Sequence, residues 1–112
     1  MSSKKERVFN RAMSLIHAIK SVGCHDKTSI IVRNKRGDSY FSFPHDLCYL
    51  STTSDSGEIV NYNCYSYPVQ TLLELVKGKK EVTFLSRKLE SPKGETFFFA
   101  SEIISVGVYG VA

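Results

Sequence analysis

The sequence contains no tryptophan, only three prolines, and no long uninterrupted run of apolar residues. A helix that spans a bilayer needs about 20 predominantly apolar residues in a row, so we expect no membrane-spanning segment. The first residues are charged, but an amphipathic pattern follows them instead of the continuous apolar stretch of a signal peptide. We therefore expect a cytoplasmic protein.

Cysteines are few and odd in number, which is typical of free thiols in a reducing compartment. Metal ligands or a nucleophile could come only from Cys24-His25, from His45-x-x-Cys48, or from Cys64. A Cys-x-x-Cys knuckle, which makes structural zinc sites recognisable, is missing. We expect no metal site and no catalytic residue here, and Cys48 and Cys64 have the alternative of acting as small buried hydrophobic side chains.

Signatures of catalysis are also missing. There is no glycine-rich phosphate loop of the P-loop or dinucleotide-binding kind, and the acidic residues are scattered along the chain. No cysteine–histidine motif has an evident third group to orient it. We therefore expect a protein that is not an enzyme and that has no cofactor.

Positive charge is distributed unevenly along the 112 residues. Residues 1–37 hold nine Lys or Arg against two acids, residues 38–76 hold five acids and no Lys or Arg, and residues 77–112 hold six bases against four acids. The net charge is +4, with a pI of about 9.0. Such blocks either face each other in the fold or give the molecule a basic side that attracts polyanions.

The clearest local pattern is an amphipathic helix over residues 4–22. Ser3 and Glu6 form a capping box, in which each side chain accepts a hydrogen bond from a backbone N–H of the first turn. Gly23 is well placed to end the helix. One stripe at helical spacing is apolar, and it consists of Val8, Ala12, Leu15, Ile16, Ile19 and Val22.

The remainder is predicted to be mostly β-structure, because β-branched and aromatic runs alternate with turn residues. The predicted hairpins are 28–34 with 39–43 around 35–38, 47–52 with 58–65 around 53–57, and 81–89 with 95–100 around 91–94. A last strand is expected over 103–109, after a brief turn at 101–102. Pro44 lacks the N–H that a ladder needs and should end the second strand.

A short second helix is predicted near residues 68–77. Pro68 opens the segment and Gly78 closes it, an arrangement that favours helix starts and ends respectively. Val69, Leu72, Leu73 and Val76 share one face at helical spacing. A strand is the competing interpretation.

These elements predict a single α+β domain over residues 1–112. We expect the N-terminal helix to pack on a twisted antiparallel sheet, or on a small, partly closed barrel of the SH3 or Sm type with five to seven strands. The turn before the last strand favours the barrel, although only by analogy of fold. A core this small makes a homo-oligomer unsurprising.

Basic residues beside aromatic ones supply the candidate binding site. Cations contact phosphates and aromatic rings stack on bases, so basic hairpin tips next to aromatic side chains favour a nucleic acid or a nucleotide. The predicted ligand-binding residues are Arg33, Lys35, Arg36, Tyr40, Lys79, Lys80, Arg87 and Lys88.

Two functions follow from these features. The first is a non-catalytic binding module for a polyanion, either nucleic acid or nucleotide. The alternative is a protein-interaction module, such as a phage- or virus-type inhibitor that binds a host protein or sequesters a signalling nucleotide. The acidic middle segment is also rich in tyrosine, and it supports the alternative because tyrosine is enriched at interfaces. Its tyrosines are Tyr49, Tyr62, Tyr65 and Tyr67.

Overall fold

The fold is taken from a computed structural model, which describes residues 3–22, 28–35, 37–42, 48–87 and 95–110. Two helices, seven strands and one 3₁₀ turn lie within these ranges. In chain order they are α1 (Lys4–Val22), β1 (Thr28–Asn34), β2 (Gly37–Ser42), β3 (Tyr49–Thr53), β4 (Ile59–Asn63), α2 (Val69–Val76), β5 (Glu81–Arg87), β6 (Glu95–Phe99), the 3₁₀ turn (Ala100–Glu102) and β7 (Ile103–Gly110).

Helix α1 has the bounds predicted from its sequence pattern. The capping box is formed: the backbone N–H of Glu6 donates to Ser3 Oγ at 3.1 Å, and the backbone N–H of Ser3 donates to Glu6 Oε1 at 3.3 Å. Five members of the apolar stripe are buried, namely Val8, Ala12, Leu15, Ile16 and Ile19. Gly23, the predicted end of the helix, lies outside the described residues.

Three of the strands form a small antiparallel sheet in the order β2-β1-β7. The predicted first hairpin is confirmed, although β2 begins at Gly37, two residues earlier than predicted. The pairing of β1 with β2 runs from Ser29 opposite Ser42 to Asn34 opposite Gly37. The other edge of β1 pairs with β7, from Thr28 opposite Gly110 to Asn34 opposite Ile103. Phe43 and Pro44, where β2 was expected to end, lie outside the described residues.

The remaining strands form a second antiparallel sheet in the order β4-β3-β5-β6. The hairpin β3–β4 and the pairing of β5 with β6 were both predicted, and where both ends are described their bounds differ from the prediction by one or two residues. Between them, β3 pairs with β5 from Tyr49 opposite Leu85 to Thr53 opposite Glu81. The loop 91–94, expected to join β5 to β6, lies outside the described residues.

Both expectations for the arrangement of the strands, one continuous sheet or a partly closed barrel, are wrong in detail. The α+β class is confirmed, but no described pairing joins the two sheets. The 3₁₀ turn follows β6 directly, and the chain then continues as β7, which pairs with β1. The last strand therefore completes the three-stranded sheet instead of closing the four-stranded one into a barrel.

The second helix was predicted correctly over residues 69–76. Pro68 has a φ of −68° and precedes the first turn, and Gly78 follows with a φ of +73°. A positive φ at this place is the conformation that glycine adopts without steric cost. Leu72 and Val76 are buried, which is the helical face expected from their spacing.

One apolar core joins these elements. Helix α1 contacts β1 and β7 of the three-stranded sheet, β5 of the four-stranded sheet, the 3₁₀ turn and α2. Its stripe is buried together with Ile30 and Val32 from β1, Leu50 from β3, and Val82 and Phe84 from β5. Neither described helix is long and apolar enough to cross a membrane.

Candidate functional site

The cations predicted around the first hairpin lie at the far end of β1. Arg33 is exposed on β1, opposite Asp38 on β2 and Ser105 on β7. Lys35 is exposed in the turn that follows. Tyr40 lies opposite Ile31 in the β1–β2 register, although its side chain is outside the description.

The other predicted residues lie on different elements. Lys79 and Lys80 connect α2 to β5, and the backbone N–H of Lys80 donates to the Thr53 carbonyl at 2.9 Å, beside the β3–β4 turn. Arg87 is the last residue of β5. Arg36 and Lys88 lie outside the described residues, and the side chain of Arg87 does too. That all eight residues form one ligand surface stays a prediction.

A groove opens where α1 passes the end of β1, the 3₁₀ turn and the start of β7. Its volume is about 520 Å³, within the range of small-molecule binding sites. We call it the basic groove, and its lining residues are Arg7, Arg11, Asn34, Lys35, Ser101, Glu102 and Ile104. Of the predicted residues whose side chains the structure describes, only Lys35 is among them.

Arg7 and Arg11 lie one helical turn apart on α1, so both side chains project toward the groove from the same flank of the helix. Arg7 and Arg11 each directly precede a buried residue of the apolar stripe, Val8 and Ala12 respectively, so the two arginines lie along one border of the stripe. This was the signal in the sequence that could have identified them. Both arginines belong to the basic block of residues 1–37, but the charge of that block alone does not indicate that they lie beside the first hairpin.

The position of Arg11 is fixed by the 3₁₀ turn. Its Nη1 donates to the Ser101 carbonyl oxygen at 2.8 Å. Ser101 is itself held by Glu81 of β5: Ser101 Oγ donates to Oε2 at 2.5 Å, and the Ser101 N–H donates to Oε1 at 3.4 Å. A chain of hydrogen bonds therefore runs from the four-stranded sheet through the turn to a guanidinium in the groove.

The described residues that line the basic groove include three cations and one carboxylate. Arg7 and Lys35 are exposed, Arg11 is half-buried, and Glu102 is exposed and engaged in an interaction of its own. Guanidinium groups present a planar fork of donors that matches a phosphate group. The groove can therefore bind an anionic group by combining this fork with the mobile ammonium of Lys35.

Cys48 and Cys64 lie opposite each other at the open end of the β3–β4 hairpin, and both are free and buried. Burial raises the pKa of the Cys48 thiol, and a hydrogen bond and charge interaction with Cys64 raise it further, while the positive charge of Lys20 opposes the shift. Cys24, His25 and His45 lie outside the described residues. Within the described part, no group of three or more His, Cys, Asp or Glu side chains could hold a metal ion.

Among the described residues, one face of the four-stranded sheet carries several exposed apolar and uncharged polar side chains. We call it the open face, and a shallow depression of about 600 Å³ on it is lined by Tyr49, Ser51, Thr53, Ile59, Asn61, Thr83, Leu85 and Phe99. Ile59 is 64% exposed, Phe99 45% and Tyr49 37%.

The tyrosines of the acidic middle segment divide between two environments. Tyr49 alone faces the open face, whereas Tyr62, Tyr65 and Tyr67 pack against the core. The rings of Tyr62 and Tyr67 meet edge to face, with 5.6 Å between their centroids. The tyrosine-rich segment is therefore not one surface, because alternation along β3 and β4 places Tyr49 and Tyr62 on opposite sides of the sheet.

Comparisons with known proteins give no relative for this chain. No family model matches it, and neither a curated protein nor a solved structure does.

Proposed function

We propose that this protein is a non-catalytic binding module for a phosphate-bearing polyanion, either a nucleic acid or a nucleotide, and that the ligand binds in the basic groove. The observation that carries the proposal is the convergence of Arg7, Arg11 and Lys35, from two separate elements, on one groove of about 520 Å³.

Preorganisation of Arg11 supports the proposal. A long side chain that orders only on binding loses conformational entropy, which lowers affinity. The hydrogen bond of Arg11 to the Ser101 carbonyl removes part of that loss before the ligand arrives. Arg7 and Lys35 remain exposed on either side, where they can follow a phosphate backbone.

The distribution of charge along the chain agrees with this location. All three groove cations belong to residues 1–37, the segment with nine basic and two acidic residues. The long-range field of this block attracts a polyanion toward the groove and raises the rate of association at low salt.

The test is binding of fluorescein-labelled single-stranded RNA and DNA, and of a labelled adenine nucleotide, measured by fluorescence anisotropy over a series of KCl concentrations. Each phosphate contact contributes about 0.7–0.9 to the slope of log affinity against log salt. The Arg7→Ser/Lys35→Ser variant should bind at least about tenfold more weakly than wild type. The magnitude of its salt slope should fall by nearly the contribution of two phosphate contacts.

Lys35→Ser and Lys77→Ser are matched variants, because both remove one exposed lysine and only Lys35 lines the groove. Lys35→Ser should weaken binding several-fold, and Lys77→Ser should leave it nearly unchanged. Equal weakening by both would show that net charge alone attracts the ligand. If the wild type binds none of the three probes at 50 mM KCl, the proposed function is wrong.

A second candidate function, a protein-interaction module, is favoured by the open face. The described residues that line it carry no charged side chain, and Ile59, Phe99 and Tyr49 are substantially exposed. A polyanion gains nothing from such a surface, whereas an uncharged apolar segment of a host protein buries its own area against it. The occupant in this alternative is therefore a protein with a neutral apolar epitope.

Ile59→Asp and Val108→Asp test this alternative as a matched pair, since both side chains are more than half exposed and only Ile59 lies on the open face. Wild-type protein purified from its own host at 0.5 M KCl should retain a stoichiometric protein partner in native mass spectrometry. The recombinant partner should then bind Val108→Asp as it binds wild type and fail to bind Ile59→Asp. Equal binding to both variants would rule out the open face.

A further inference from the structure

Two buried cysteines lie directly opposite each other, in a place that neither candidate function uses. Cys48 immediately precedes β3, Cys64 immediately follows β4, and the backbone N–H of Cys64 donates to the Cys48 carbonyl at 3.0 Å. They extend the β3–β4 register by one pair beyond Tyr49 and Asn63. Both side chains point into the core, at 0% and 1% exposure.

The geometry of this pair suits a covalent link. Opposed residues on antiparallel strands have Cα atoms about 4.5–5.5 Å apart, and a disulfide needs about 4.4–6.8 Å. The two thiols already interact, because the Cys64 side chain is a hydrogen-bond partner of Cys48. A disulfide can therefore form here with little movement of the backbone.

We propose that Cys48 and Cys64 are an oxidisable dithiol, whose disulfide closes the open end of the β3–β4 hairpin. Glutathione disulfide is a sufficient oxidant. The thiolate of one cysteine attacks it, forms a mixed disulfide and releases one glutathione. The second cysteine then attacks the protein sulfur of that mixed disulfide and releases the other glutathione. Two electrons pass to the two glutathione molecules, which also take up the two thiol protons.

In this proposal, Lys20 near the end of α1 and Tyr65 beside Cys64 form the cover of the pair. Lys20 Nζ lies 5.7 Å from the centroid of the Tyr65 ring, and Tyr65 is the neighbour of Cys64. Lys20 is also close enough for its charge to act on the Cys48 thiol. Because the thiols are buried, the oxidant reaches them only when this cover opens locally, so oxidation is slow in the folded protein.

The experiment uses the full chain with Cys24→Ser, which removes the third thiol, beside the wild type. Reduced protein is incubated with glutathione disulfide, quenched in acid, alkylated with N-ethylmaleimide and analysed by intact mass and peptide mapping. The expected product carries no alkyl group and no glutathione, contains a Cys48–Cys64 cross-linked peptide, and has a Tm several degrees above that of the reduced protein. Adding Cys48→Ser or Cys64→Ser should abolish the link and leave a glutathione adduct or a free thiol.

Tyr65→Ala and Tyr49→Ala distinguish two causes of slow oxidation: slow access of the oxidant to the thiols, and a geometry in which the Cys48–Cys64 disulfide cannot form. Tyr65 belongs to the cover and Tyr49 to the open face. In the Cys24→Ser background, Tyr65→Ala should speed formation of the link several-fold, and Tyr49→Ala should leave the rate unchanged. Persistent glutathione adducts, or unreacted thiols even with Tyr65→Ala, would overturn the proposal. None of these readouts depends on ligand binding, so the proposed function and the dithiol fail separately.

Discussion

Leu15→Ala is expected to lower the free energy of unfolding by about 2–5 kcal/mol. Leu15 is 1% exposed in the middle of α1, and α1 contacts strands of both sheets as well as α2. Truncation removes buried methyl groups and leaves a cavity that close-packed neighbours fill only in part. Since a domain of this size is stable by only about 5–15 kcal/mol, the loss is a large fraction of the total.

Urea denaturation followed by far-UV circular dichroism measures this loss, and His17→Ala is the matched control. His17 lies on the exposed side of the same helix, so its truncation should change stability by less than about 0.5 kcal/mol. Because α1 packs on both sheets, Leu15→Ala should keep a single transition. A loss comparable with that of His17→Ala would mean that α1 does not hold the two sheets together.

Glu81→Ala is expected to destabilise the protein and, although it removes a negative charge, to weaken polyanion binding. The Glu81 carboxylate accepts hydrogen bonds from the Val82 N–H at 2.9 Å and from Ser101 Oγ at 2.5 Å. Loss of these acceptors should cost about 1–3 kcal/mol. It should also release Ser101, whose carbonyl positions Arg11 in the basic groove.

Glu74→Ala separates this positional effect from the effect of charge. Glu74 is an exposed acid on α2, so its removal changes the net charge by the same amount without loosening the 3₁₀ turn. In the anisotropy assay Glu74→Ala should bind polyanions as well as wild type or slightly better, whereas Glu81→Ala should bind several-fold more weakly. Tighter binding by Glu81→Ala would show that charge, and not the held geometry of Arg11, determines affinity.

Helices and hairpins were predictable because their signals are local. The capping box at Ser3 and Glu6 and the flanking Pro68 and Gly78 identify both helices within a few residues of chain. The turn at 54–57 likewise identifies the β3–β4 hairpin, in which Gly57 has a φ of +90°. Each of these signals depends only on the conformational preferences and hydrogen bonds of residues that are close together in the chain.

The arrangement of the strands was not predictable, because it depends on pairings between distant residues. The pattern of residues 103–109 indicates a strand, but it does not distinguish a partner in β1 from a partner in β6. Arg11 illustrates the same limit for the site. Its contact with Ser101 joins residues far apart in the chain, and no short motif encodes it.

The pairing of β1 with β7 has a consequence for synthesis on the ribosome. Residues 28–34 are synthesised well before residues 103–110, yet one of their two hydrogen-bonding edges finds its partner only when residues 103–110 have left the exit tunnel. Until then the nascent chain carries an unsatisfied strand edge beside the β1–β2 hairpin, which is a template for pairing with other chains. Such late closure of a long loop slows folding. Chaperones that bind nascent chains at the ribosome and shield unpaired strands should therefore raise the yield of this protein more than that of a helical protein of equal length.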